Sequence, residues 1–177
     1  MRRLALSAGF IALSLGAASA QSQSYAGMQT RPIKALSDQQ IGDLRAGRGM
    51  GLALAAELNG YPGPVHVLEL GDELALTPEQ RTRMQALVDE MKAEARPLGE
   101  QLIARETELD RQFSNKQITR DALSRATAAI GETQGALRNA HLKYHLATLD
   151  VLSPSQVRRY AELRGYSRGA EHMHHHK

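Results

Sequence analysis

The chain has 177 residues, 42% hydrophobic and 23% charged, which suits one modest domain and not two. It has no Cys, which excludes a disulfide framework, a thiolate metal site and a Cys nucleophile. With no Trp and only two Phe, the core must be mainly aliphatic.

Met1–Ala20 has a positive start at Arg2 and Arg3, an apolar stretch from Leu4 to Gly16 and a small-residue site, Ala18-Ser19-Ala20. That is the pattern of a secretory signal peptide cleaved after Ala20. The apolar part is short of the roughly 20 residues a membrane span needs. Its removal takes two arginines and lowers the formal charge from +3 to +1, so a nucleic-acid partner is not indicated. Export of a chain without Cys suits a bacterial periplasm. Residues 21–35 read as a flexible N-terminal segment.

From residue 36 a helix-start phrase recurs. Leu36-Ser37-Asp38-Gln39-Gln40, Leu76-Thr77-Pro78-Glu79-Gln80 and Leu152-Ser153-Pro154-Ser155-Gln156 all read L-[ST]-x-x-Q. The Ser or Thr hydroxyl accepts from an orphan amide of the first turn, and the Gln reaches back to the amide of the cap. Proline at the first helical position lacks an N–H that would be unpaired there anyway. No run alternates apolar with polar residues, so an all-α chain of five helices is expected.

The first helix is expected over about Asp38–Leu58, with Gly47, Gly51 and Ala55 on one closely packed face. Tyr61-Pro62-Gly63-Pro64 is a rigid turn, followed by a short helix over about Val65–Glu73. A long helix over about Pro78–Phe113 carries Met84, Val88, Met91, Ala95, Leu98 and Leu102 as a narrow apolar stripe. Pro97 inside it should kink the rod or remove one hydrogen bond. Glu94 and Arg105 are assigned to its wet face. Thr119 caps a second long helix to about Asp150, with Leu123, Ile130, Leu137, His141 and Tyr144 on one face. A last helix over about Pro154–Tyr166 carries Val157, Tyr160 and Leu163. Residues 167–177 lack periodicity and read as a disordered, His-rich tail. The two rods, joined by a short link, must form a long antiparallel helical hairpin. Shorter hooking helices or a second subunit must cover its thin core, and a homodimer is the economical answer.

Leu76, Thr77 and Gln80, their echo Leu152, Ser153 and Gln156, the hairpin between them and the export signal resemble the LTxxQ-motif family. That family contains the Spy/CpxP periplasmic stress proteins and is related to the zinc-binding ZraP and the CnrX-type heavy-metal sensors. The resemblance covers roughly residues 36–166. It implies a hooked, dimeric, all-helical fold. It further implies ATP-independent binding of unfolded proteins, or metal-linked stress sensing.

The histidines are the sharpest chemical signal. His141 and His145 stand one helical turn apart, on one face, where two imidazoles can clamp a divalent ion such as zinc, copper, nickel or cobalt. The bland alternative is a pair of packed, hydrogen-bonded core residues. His66 follows the proline turn and would add a third ligand if its helix folds back; Glu69 could support it. Met50, in a glycine-lined stretch, could supply a soft ligand to copper. The tail holds His172, His174, His175 and His176, which suit a metal-collecting arm. CnrX-type sensors use a His pair in an early segment and a His/Met pair on the long helix; this chain departs from both.

Catalysis is not indicated. The spacing of a zinc peptidase is present at His141 and His145, but Leu142 stands where H-E-x-x-H needs its Glu. No Ser occupies a G-x-S-x-G elbow. The glycine run at residues 47–51 follows a helix, not a strand. Five basic residues against two acidic ones after Pro154 read as a solvated end or a contact for acidic partners. The leading expectation is a non-enzymatic periplasmic stress protein that binds unfolded proteins, with divalent metal bound. A metal sensor or metal-buffering resistance protein is the first alternative, and an adaptor for an inner-membrane signalling protein the second.

Overall fold

The computed structural model describes residues 25–166, which are helical and contain no strand. The signal segment and the tail with His172, His174, His175 and His176 lie outside the described residues. After a single 3-10 turn at Met28–Thr30 come α1 (Asp38–Ala46), α2 (Leu54–Glu57), α3 (Pro64–Glu69), α4 (Pro78–Ser114), α5 (Arg120–Leu149) and α6 (Pro154–Leu163). None is long and apolar enough to cross a membrane.

All three helix-start phrases are complete capping boxes. Ser37, Thr77 and Ser153 each accept from the backbone of the Gln three residues on, and Gln40, Gln80 and Gln156 each accept from the backbone of their cap. Thr119 caps α5 with its side chain alone, accepting from the Ala122 amide.

The expected single helix over Asp38–Leu58 is two. Gly47 caps α1 in the left-handed region at φ 68°, and Met50 and Gly51 follow at 45° and 82°, angles no α-helix contains. Gly47 therefore serves a turn, not a helical packing face, although a Cβ there would still meet Arg96 and Lys92 of α4 at 3.3–3.4 Å. The close packing lies elsewhere. A Cβ on Gly99 would collide with the Leu44 carbonyl, so this glycine is what lets the end of α1 rest on α4.

The hairpin is antiparallel. Arg105 of α4 donates to the Ala129 carbonyl and Thr133 hydroxyl of α5, and further back along the pair Glu94 takes Lys143 at 2.6 Å and Tyr144 at 3.4 Å. Glu94 and Arg105 thus bridge the rods and do not lie on a plain wet face: the antiparallel register sets them opposite polar groups. Helix α4 continues through Pro97, whose ring stands on the exposed side. The apolar stripe of α4 is buried from Met84 to Leu102, with Leu98 half-buried. On α5 Ile130, Leu137 and His141 are buried, Tyr144 is half-buried, and Leu123 is exposed near the hairpin tip.

Two apolar clusters result. One, around Leu44, Ala95, Leu102, Ile130 and Leu137, takes α1 onto the middle of the hairpin. Ile33 belongs to it and is buried, and Lys34 pairs with Asp110 at 3.2 Å, so the end of the lead-in segment is anchored. The other, around Val67, Leu74, Leu76, Met84, Leu87, Leu152 and Tyr160, closes the open end of the hairpin with α3 and α6. Along α5, His141 and His145 fall between Leu137 of the first cluster and Ala147, which packs on the second.

Candidate metal centre

Helix α5 turns both of its histidines into the seam. His141 is 2% exposed and His145 is 7% exposed. Each has a glycine of a neighbouring turn beside its ring. Gly49 faces His141, where a Cβ would stand 3.5 Å from Nδ1. Gly63 faces His145, where a Cβ would come within 2.8 Å of Cε1 and 3.0 Å of Nε2. The second approach is too close for any side chain, so the Pro62-Gly63-Pro64 turn fits over the ring only with glycine at its centre.

The two rings differ in their partners. Nδ1 of His145 lies 2.7 Å from the carbonyl oxygen of Tyr61. A carbonyl can only accept, so Nδ1 carries a proton, and the neutral tautomer this selects has its lone pair on Nε2. That arrangement fixes the orientation of a metal-binding imidazole in known sites. His141 is left with its Nε2 buried and without a hydrogen-bond partner among the described residues. Burial, reinforced by the neighbouring His145, holds its pKa below the ordinary imidazole value. The ring is therefore neutral at physiological pH. An orphaned buried polar atom costs roughly 1–3 kcal/mol and calls for an explanation. An ion bound at the pair would supply one, and two imidazoles one turn apart are donors that zinc and copper favour. On these grounds the residues fit a metal.

Beside them lies a buried acid that sequence reasoning passed over. Glu57, at the end of α2, is 6% exposed. Its Oε1 accepts from the Tyr160 hydroxyl and, at 3.2 Å, from the Tyr166 hydroxyl, with Arg164 Nε 3.5 Å away. Its Oε2 accepts from the Gly63 amide at 3.2 Å and stands 3.8 Å from His145 Nδ1. Burial and the bond to Glu57 push the Tyr160 hydroxyl well above its usual range, so it stays a donor. With both oxygens engaged, Glu57 positions the turn over His145. The available signal was a single acid in the apolar run LALAAEL of residues 52–58.

His66 is turned away. Its Nδ1 pairs with Glu69 at 2.9 Å on the half-exposed side of α3, because Pro64 and Val67 take the inner face. Among the described residues no three His, Asp or Glu side chains are grouped to hold an ion, so His66 does not complete the expected set. Met50 is 41% exposed and follows Gly49 directly.

A family model described as heavy-metal resistance matches residues 49–159, from the glycine loop into α6 and across both histidines of α5. No curated protein and no solved structure matches the chain.

Proposed function

The chain belongs to the heavy-metal resistance family, and on that premise we propose that it is a non-enzymatic, exported metal-binding protein of the periplasm. His141 and His145 hold a divalent heavy-metal ion in the hairpin seam. The observation that carries this reading is the buried, unpartnered Nε2 of His141 beside a His145 whose tautomer the Tyr61 carbonyl fixes. When bound, the ion would supply Lewis-acid charge beside the two imidazoles. The chain's own residues do the rest: α5 sets the imidazoles one turn apart, the two glycine turns exclude water, and Glu57 holds the second turn in place. The family match and the resemblance to periplasmic stress proteins both support this reading.

Calorimetric titration of zinc, copper, nickel and cobalt tests it. The background is the full chain with His172, His174, His175 and His176 all changed to Ala, which removes the tail's own ligands. About one ion per chain is expected, lost when His141→Ala and His145→Ala are added. Unchanged stoichiometry in that variant overturns the reading.

A second reading, chaperone-like binding of unfolded proteins, is favoured by exposed apolar side chains. Leu54, Leu58 and Leu146 are each more than half exposed and Tyr61 is 37% exposed. If it holds, the metal-free protein slows aggregation of a denatured client, and Leu58→Asp with Leu146→Asp removes that effect.

A further inference from the structure

Helices α1 and α5 both pack on α4, and between them runs an open groove of about 540 Å³. Lys34 pairs with Asp110 and Leu44 rests on Gly99, so α1 runs antiparallel to α4 and parallel to α5. Leu36, Leu44, Leu52, Leu102 and Leu137 give the groove an apolar lining. On the α5 wall Gly131 and Gly135 stand one turn apart, and a Cβ on either would meet nothing within 4 Å. Neither has a positive φ, so neither packing nor backbone geometry calls for glycine inside this helix, where it costs stability. Their bare backbone widens the groove. A single charged residue lines it, Arg138, one turn beyond Gly135. The residues three and four positions to either side of it are Gln134, Gly135, His141 and Leu142, none an acid. Among the described residues its guanidinium has no hydrogen bond or ion pair. The groove is therefore apolar along its length and positive at one end.

We propose that this groove binds a single-chain fatty carboxylate, with the hydrocarbon chain on the leucines and the carboxylate on Arg138. A mostly apolar lining with a few polar groups, at this volume, is the make-up of a small-molecule site. From Gly131 to Arg138 helix α5 advances roughly 10 Å at about 1.5 Å per residue, which leaves room for a medium-length chain lying along the helix. Each methylene moved from water onto the leucines favours binding. The carboxylate accepts from the guanidinium, a charge-assisted bond that fixes which end of the ligand lies there. A peptide segment fits less well. Its N–H and C=O groups would lie against leucine side chains, with only the Gln40 and Gln134 amides and Arg138 to meet them, whereas a hydrocarbon chain has no polar group to satisfy. Neither His141 nor His145 lines the groove, so the inference is independent of the metal-binding reading.

Calorimetric titration of decanoate into the full chain, below the micelle-forming concentration, tests the proposal, with decanol as the uncharged counterpart. About one decanoate per chain is expected. Gly135→Leu fills the groove at a position open to a side chain and replaces a glycine inside a helix. It should remove decanoate binding while thermal stability stays the same or rises. Arg138→Gln should weaken decanoate roughly two- to fivefold and leave decanol unchanged, and Arg138→Lys should restore most of the loss. The absence of saturable decanoate binding overturns the proposal, as does undiminished binding in Gly135→Leu. Equal weakening of decanoate and decanol in Arg138→Gln also overturns it, since the side chain would then only shape the groove. Two other occupants have their own signatures, each with no decanoate bound. If a second copy of the chain sits in the groove, Gly135→Leu lowers the mass measured by light scattering. If unfolded clients do, it removes the protection of a denatured client from aggregation. Either result overturns the proposal.

Discussion

Gln80 and Gln156 hold each other face to face, the Nε2 of each donating to the Oε1 of the other at 3.0 and 2.9 Å. Their remaining N–H groups donate across the fold, Gln80 to the Val151 carbonyl at 2.9 Å and Gln156 to the Leu74 carbonyl at 3.2 Å. Each oxygen also accepts from its own cap amide, Thr77 at 3.1 Å and Ser153 at 2.9 Å. Both amides therefore use their full capacity of two donors and two acceptors. The repeated phrase is more than two separate helix caps. It is one clasp joining the start of α4 to the start of α6, and so fixing the open end of the hairpin.

This clasp predicts coupling. Gln80→Ala leaves the Val151 carbonyl, the Thr77 amide and half of the Gln156 amide without partners, and should cost about 1–3 kcal/mol. Gln156→Ala should cost a similar amount. The double variant should lose less than the two singles combined, by roughly 0.5 kcal/mol or more. Urea unfolding of the four proteins measures this directly. Simple additivity would mean that the amides act only as independent caps.

The division between what was legible in the sequence and what was not follows range along the chain. The capping boxes join residues three apart, so Ser37 with Gln40, Thr77 with Gln80 and Ser153 with Gln156 could be matched by spacing alone. The stripe from Met84 to Leu102 and the inward face of His141 follow from helical periodicity. The clasp joins residues 76 positions apart, and the bond from Glu57 to Tyr160 spans 103; no local pattern encodes either. The break at Gly47 was hidden for another reason. Apolar residues continue through it, and a glycine there serves equally as a packing surface or a left-handed cap. His66 was misplaced because a six-residue helix such as α3 has two possible inner faces, and the prolines and Val67 took one of them.

Glu57 is the second place where a single side chain should have a large effect. Glu57→Ala strands the Tyr160 hydroxyl, the Gly63 amide and the charge of Arg164, and should cost about 3 kcal/mol or more. Glu57→Gln keeps the shape but turns an N–H group towards donors, and should recover only part of that loss. Tyr160→Phe alone should cost about 1–2 kcal/mol. It should cost markedly less in the Glu57→Ala background, where its partner is already gone. Thermal unfolding of the set decides it, and a Glu57→Ala protein as stable as the parent would remove Glu57 from its place at the hub.

Acid should weaken the metal-free protein through His141. Its folded pKa lies below the ordinary imidazole value because burial opposes the charged form. Above about pH 7 the ring is neutral in both folded and unfolded chains, so it adds no pH dependence. Between the unfolded value near 6.5 and the lower folded value, the unfolded chain binds more protons, and stability falls as pH falls. Below the folded value both states are protonated and the slope ends. In the presence of a chelator, the midpoint of urea unfolding should therefore drop between pH 7.5 and pH 5.5. His141→Leu removes the titrating ring and the orphaned Nε2 together, so its drop over the same window should be smaller and its stability at pH 5.5 higher than the parent's. Excess zinc should protect the parent and not the variant. Equal slopes for the two metal-free proteins would mean that His141 meets water in the folded state, and that its lone pair is not held in reserve for an ion.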